Sequence, residues 1–214
     1  MMRGSARLYG TSLLAGALLI GVAGLFHPIL SGDGAAQLAT IATTHAWRTI
    51  HWALLFGLPL LLTGLLGVVY RHIDTPGASF ARAGAVVAAF ACAIWALNIL
   101  FMVGAARQLA LAYRTAEPGL TATRAVFLYD MLHPFGLAAE RLATFSLGLV
   151  MGLFGAAVWR GKTWPRWQAG FAWLAGAIAV GIAIVSGEAT PNLLYGAQGV
   201  VVAWCAVAGL RLLV

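Results

Sequence analysis

The sequence predicts an all-α membrane protein with six transmembrane helices, and its composition, segment lengths and charge placement each support this fold class. Of its 214 residues, 62% are hydrophobic and only 9% are charged, whereas a soluble domain carries about 25% charged residues. Apolar segments of about 20 residues, the length that crosses a bilayer, recur along the chain. The basic residues lie at the ends of these segments, so the net charge of +7 does not indicate a nucleic-acid partner.

We expect a single transmembrane domain over residues 1–214, with the lipid bilayer as its first partner. The first span follows a short basic head, and no good small-residue cleavage site follows it, which argues against a removed signal peptide. Pro59 should kink the second span, because proline removes a backbone donor. The six spans cover approximately residues 8–26, 46–70, 83–103, 136–158, 168–187 and 193–213.

The arginines predict the orientation. The loops around residues 71–82 and 160–166 are short and rich in arginine, and Arg3 and Arg211 lie near the two chain ends. Basic residues concentrate on the cytoplasmic side of membrane proteins. We therefore expect both termini in the cytoplasm of a bacterial inner membrane, with residues 27–44 and a polar loop over residues 106–124 on the outer side.

The start of the fourth span carries the most informative polar pattern. Spacings of +3, +7 and +4 place four residues on one stripe of a helix. An acid and an imidazole at the mouth of a membrane helix are costly unless they face protein, water or a ligand. Pro134 is expected to bend this extension. The four residues of the stripe are Asp130, His133, Glu140 and Thr144.

Residues 64–94 and 152–180 resemble each other. Each contains a glycine pair, an aromatic residue, an arginine, a turn with proline and a Gly/Ala-rich span. The pattern predicts that helices two and three form a parallel pseudo-repeat with helices four and five. In that alignment His51 and Glu140 occupy equivalent depths.

Imidazole and carboxylate groups gather at the predicted outer ends of the spans. Such groups ligate zinc, iron or copper, and two histidines can instead ligate haem iron. We predict metal ligands from the set His45, His51, His133 and Glu140, and haem ligands from His51 and His133. The supporting residues are His27, Arg48, Asn98, Asp130 and Arg141, with Glu188 on the same side.

A structural interpretation competes with this site. Interfaces attract His, Trp and Arg, and Glu140 could simply pair with Arg48 or Arg141. Asn98 is typical of interhelical contacts. His72 is expected in a solvated inner loop. The sequence contains no zinc-protease motif and indicates no specific reaction, so metal and haem remain alternatives.

Two other functions fit the same sequence. Glycine-rich helices without a soluble domain suit an accessory or structural subunit of a larger membrane complex, or a homo-oligomer. The predicted pseudo-repeat suits a small-solute carrier, although no charged groups lie deep in the spans.

Three short motifs give a family resemblance. They are His27-Pro28 after the first span, Trp47 with His51 at the start of the second, and Pro165-Arg166-Trp167 before the fifth. The layout resembles a group of bacterial, actinobacterial-type six-helix integral membrane proteins. The resemblance implies the topology and assigns no activity and no catalytic residue.

Overall fold

The computed structural model describes residues 3–115, 120–186 and 191–214. The described part of the chain is helical, without strands. The predicted outer residue Glu188 lies outside the described residues. The helices are α1 Arg3–Leu25, α2 Gly34–Thr43, α3 Trp47–His72, α4 Ala78–Phe101, α5 Arg107–Thr115, α6 Leu120–Gly161, α7 Arg166–Val185 and α8 Pro191–Leu213, and a π turn, Met102–Ala106, joins α4 to α5.

Six of these helical segments are long and apolar enough to cross a membrane, which confirms the predicted six-span, all-α fold. They are α1, α3, α4 with its extension into α5, α6, α7 and α8. The protein is therefore a multi-pass membrane protein. The helices extend beyond the predicted spans, because regular backbone hydrogen bonding continues past the ends of the apolar segments. For example, α6 begins at residue 120, whereas the fourth span was predicted to begin near residue 136.

Glycines bring neighbouring helices into backbone contact. A Cβ on Gly16 of α1 would lie 2.5 Å from the backbone nitrogen of Leu61 in α3. Between α6 and α7, a Cβ on Gly148 would lie 2.8 Å from the Gly176 carbonyl oxygen. Such contacts are the usual way in which membrane helices associate, since lipid gives no hydrophobic drive between them.

Two short helices cover one end of the bundle. We call α2, α5 and the first turns of α6 the roof, and the opposite end, which carries both chain ends, the terminal end. The roof has its own apolar core, in which Ile41, Trp47 and Tyr129 are fully buried. The predicted outer segments are therefore largely helical: α2 lies within residues 27–44, and α5 within residues 106–124.

Capping interactions fix the roof. Asp33 accepts a hydrogen bond from the Ala36 backbone N–H at the start of α2, an N-cap that stabilises a helix by about 1 kcal/mol. At the other end of α2, Arg107 donates to the carbonyls of Ile41 and Ala42. The Trp47 indole N–H donates to the Met102 carbonyl at the π turn, over 2.9 Å.

His72 corrects one expectation at the terminal end. Its side chain is fully buried rather than solvated. Its Nδ1–H donates to the Val68 carbonyl, and the Thr163 hydroxyl donates to its Nε2, each over 2.8 Å. His72 therefore ties the end of α3 to the turn before α7. Pro59 and Pro134 lie inside α3 and α6, which continue through them as helices.

We expect Gly16→Ala to destabilise the protein by about 1–3 kcal/mol, the usual cost of overpacking, because the new methyl group meets the α3 backbone. Gly181→Ala is the matched control, since its Cβ would meet nothing within 4 Å. Thermal denaturation in detergent, followed by circular dichroism, compares the two. Equal midpoints would contradict the proposed role of the α1–α3 contact.

Candidate functional site

A cavity of about 350 Å³ lies beneath the roof, among α1, α3, α4, α6 and α8. Most of its lining is apolar, including Ile20, Leu54, Trp95 and Met102. Ligand sites typically combine such a lining with a few convergent polar groups. The polar residues that line this cavity are His27, Gln37, His51, Asn98, His133, Glu140, Tyr195 and Gln198.

Two histidines face each other in the cavity wall. His51 lies one turn into α3 and is only 2% exposed. His27 lies in the segment that follows α1. Their Nε2 atoms are 3.3 Å apart. The sequence separates them by 24 residues, and the fold brings them together because α1 and α3 pack side by side.

The hydrogen bonds of the two rings determine their tautomers. His27 Nδ1 lies 2.9 Å from the Pro28 carbonyl oxygen, and His51 Nδ1 lies 2.8 Å from the Trp47 carbonyl oxygen. A carbonyl only accepts hydrogen bonds, so both Nδ1 atoms must carry hydrogen. In neutral rings both Nε2 atoms are then hydrogen-bond acceptors, and they lie 3.3 Å apart. A metal ion shared by the two nitrogens would supply the positive charge that this contact between two acceptors lacks.

Aromatic rings hold the histidine pair in place. The Trp47 ring centroid lies 4.2 Å from that of His51 and 5.7 Å from that of His27. The Tyr195 ring of α8 lies 5.0 Å from the His27 ring. The Trp47 ring is itself held by its hydrogen bond to the π turn. The pair is therefore preorganised.

Glu140 lies deeper on α6 and is 4% exposed. Its carboxyl oxygens accept hydrogen bonds from the side-chain amides of Asn98, at 3.3 Å, and Gln198, at 3.4 Å. The Gln198 amide also donates to the Thr144 hydroxyl at 2.9 Å. The carboxyl group is thus held by amides from α4 and α8, rather than by Arg48 or Arg141.

His133 connects the cavity to the roof. Its ring stacks on Tyr129, with 4.8 Å between the centroids. The Tyr129 hydroxyl donates to the Gln37 side-chain oxygen over 2.8 Å, and Gln37 lines the cavity from above. Of the four residues of the predicted stripe on α6, His133 and Glu140 therefore line the cavity.

Four residues predicted for the site lie elsewhere. His45 is exposed in the turn before α3, whereas His51 is buried within the helix. Arg48 lines a separate surface cleft with Trp52. The Asp130 carboxylate lies against Gly34 at the start of α2. Arg141 does not line the cavity, because it directly follows Glu140 in the chain and therefore lies on a different face of α6.

The predicted four-residue metal set is not assembled. Among the described residues, no group of three or more His, Cys, Asp or Glu side chains is placed to hold a metal ion. His45 lies in the exposed turn before α3, and the Glu140 carboxyl oxygens accept hydrogen bonds from the side-chain amides of Asn98 and Gln198. The close pair is instead His27 with His51, in which His27 was expected only to support the site.

Sequence reasoning missed Gln37, Tyr195 and Gln198. Gln198 had a usable signal, because a single amide inside an otherwise apolar span needs a partner within the protein. Gln37 gave no signal, since its position depends on the fold of α2.

Comparisons of this chain with protein-family models, with curated proteins and with solved structures give no match. Function is therefore inferred from the cavity itself.

We expect acidification to destabilise the metal-free protein through His27, which lies beyond the first span. Burial lowers the pKa of His27 from its ordinary value of 6.5. The unfolded chain then binds a proton at a higher pH than the folded one, so stability falls as the pH drops through about 6.5. Each unit of pKa shift corresponds to about 1.4 kcal/mol.

The measurement compares melting temperatures of the wild type and His27→Asn from pH 8 to pH 5, with a chelator present. His51 and Tyr195 face His27 and are the same in both proteins. The wild type should lose more stability than the variant below pH 6.5. Parallel curves would contradict the prediction.

Proposed function

We propose that this protein binds a transition-metal ion in its cavity, through Nε2 of His27 and Nε2 of His51. The observation that carries the proposal is the pair of converging nitrogen lone pairs, 3.3 Å apart, each fixed by an Nδ1–H bond to a backbone carbonyl. Histidines that bind metals commonly donate their other ring N–H to a carbonyl in this way.

The separation of the two nitrogens suits one shared ion. With metal–nitrogen bonds of about 2.0–2.1 Å, nitrogens 3.3 Å apart subtend an angle of roughly 105–110° at the metal. That angle is close to tetrahedral, the geometry that zinc prefers, and imidazole also suits copper. We therefore propose Zn²⁺ or copper as the ion.

Two protein nitrogens leave coordination positions open toward the cavity. Catalytic zinc sites keep such a position for water or substrate. His133 and Glu140 line the same cavity and are the groups able to exchange protons with a molecule bound there. We propose that His133 and Glu140 exchange protons with a molecule bound at the metal and do not ligate the metal themselves.

Haem is the less favoured alternative. A haem iron ligated by two histidines needs the porphyrin ring between the two Nε2 atoms. The His51 Nε2 already has His27 Nε2 at 3.3 Å, which leaves no space for a ring between them. His51 would have to turn away from His27 and break its bond to Trp47 to pair with His133 across a porphyrin.

We propose that the roof faces the outside of a bacterial inner membrane and that both chain ends are cytoplasmic. The arginines of the two short terminal-end turns support this orientation. A metal ion would then reach the cavity from the extracytoplasmic side, or leave the protein there.

We expect purified protein to bind about one Zn²⁺ or Cu⁺ per chain, and His27→Ala and His51→Ala to weaken binding at least 100-fold. Elemental analysis after loading and dialysis gives the stoichiometry, and competition with a chromophoric chelator gives the affinity. His45→Ala is the matched control, because this exposed histidine should not contribute. Binding that survives in His51→Ala, or is lost in His45→Ala, would refute the site. A Soret band that His51→Ala and His133→Ala abolish would favour haem.

The orientation can be tested with two matched Ser→Cys variants. The native cysteines, Cys92 and Cys205, are buried, so the wild type should give little background. Ser31 at the roof end and Ser79 at the terminal end are both exposed. A membrane-impermeant maleimide added to sphaeroplasts should label Ser31→Cys, and should label Ser79→Cys only after lysis. The reverse pattern would overturn the proposed orientation.

A further inference from the structure

Helices α1 and α8 touch at the terminal end and separate toward the roof. At the terminal end they are in close contact, since a Cβ on Gly10 would lie 3.0 Å from the Gly209 carbonyl oxygen. About four-fifths along α1, a Cβ on Gly21 would lie 3.6 Å from Val202. One turn further on, a Cβ on Gly24 would meet nothing within 4 Å.

The opening between these helices leads into the cavity. Gly196 and Gly199 of α8 also have nothing within 4 Å of an added Cβ. Both are exposed, as is Gly24, and all three line the cavity beside His27 and Glu140. Among the described residues, the cavity wall is thus incomplete between the roof ends of α1 and α8.

We expect this opening to face lipid. Its residues belong to two of the membrane-spanning segments, Ser5–Leu25 and Asn192–Leu213. Exposed apolar side chains flank it, including Val22, Leu25 and Leu193. On the roof side, Leu30 and Gln37 line the top of the cavity. A ligand can therefore enter sideways from the bilayer leaflet next to the roof.

The lining also defines the charge of the ligand. Among the residues that the structure describes, no arginine or lysine lines the cavity, so a phosphate head group would lack a counter-charge there in a medium of low dielectric. The available groups are imidazoles, amides, a phenol and the Glu140 carboxyl, which donate to or accept from neutral oxygens. The volume of about 350 Å³ lies at the small end of ligand pockets, enough for one ring.

We propose that the cavity binds a neutral, lipid-soluble molecule with a compact, oxygen-bearing ring, of the quinone and quinol class, which enters between α1 and α8. The ring lies near Trp95 and Met102, with its oxygens toward Tyr195, Gln37 and Asn98. The hydrocarbon tail leaves past Gly24, Gly196 and Gly199. This inference rests on the cavity and its opening, and it does not require the metal ion.

The test measures decylubiquinone binding to protein in nanodiscs, with a chelator present, by quenching of tryptophan fluorescence. The double variant Gly196→Leu/Gly199→Leu fills the opening. The matched control, Gly170→Leu/Gly181→Leu, makes the same changes on α7, where an added Cβ also meets nothing within 4 Å. Neither pair should disturb packing, and the melting temperature of each variant verifies folding.

We expect saturable quenching in the wild type and in the control, smaller quenching in Trp95→Phe, and association at least tenfold slower in the α8 double variant. Absence of saturable quenching in the wild type would overturn the proposal, as would unchanged association in the α8 variant. Competition by dioleoylphosphatidic acid at equal concentration would show that an anionic lipid is the ligand, which also overturns it. Because chelator is present, failure here is distinct from failure of metal binding.

Discussion

The absence of water from the bilayer interior is the constraint on which the rest of this structure depends. A polar group buried there must find its partner within the protein. The buried Glu140 cluster obeys this rule: its carboxyl receives amide hydrogen bonds from Asn98 and Gln198, on two different helices. These bonds connect α4, α6 and α8 around the cavity through a single acid.

The distribution of helix contacts produces the cavity. Gly10 with Gly209 joins α1 to α8 at the terminal end, and Gly16 with Leu61 joins α1 to α3 further up. Toward the roof, Gly24, Gly196 and Gly199 have no neighbour to pack against. Helices α1 and α8 therefore diverge from their close contact at the terminal end, and the cavity with its polar side chains lies beside the opening between them. Glycine thus has two effects: near the terminal end it lets helices pack closely, and toward the roof it leaves space for a ligand.

Composition and hydrophobic length predicted the six-helix membrane fold because lipid imposes a minimum apolar length on each span. Helical spacing predicted that His133 and Glu140 share a face. Spacing within one helix could not identify the partner of His51, because His27 belongs to a different segment and approaches only when α1 and α3 pack together. The same limit explains Gln37 and Gln198. The pseudo-repeat stays a prediction, although His51 and Glu140, which it aligns, do line one cavity.

A purely structural role does not explain the histidine pair well. A buried imidazole needs hydrogen-bond partners for both nitrogens, as His72 shows: its Nδ1 donates to Val68 and its Nε2 accepts from Thr163. His72 is a satisfied histidine. In the cavity, the Nδ1–H of His27 and that of His51 each donate to a backbone carbonyl. The Nε2 of each ring is then an acceptor, and its nearest polar neighbour in the pair is the other Nε2, also an acceptor. One ordinary donor opposite either ring, such as a threonine, would complete the bonding; the chain instead places two acceptors together beside an open cavity. That choice is costly for folding alone and favourable for holding a cation.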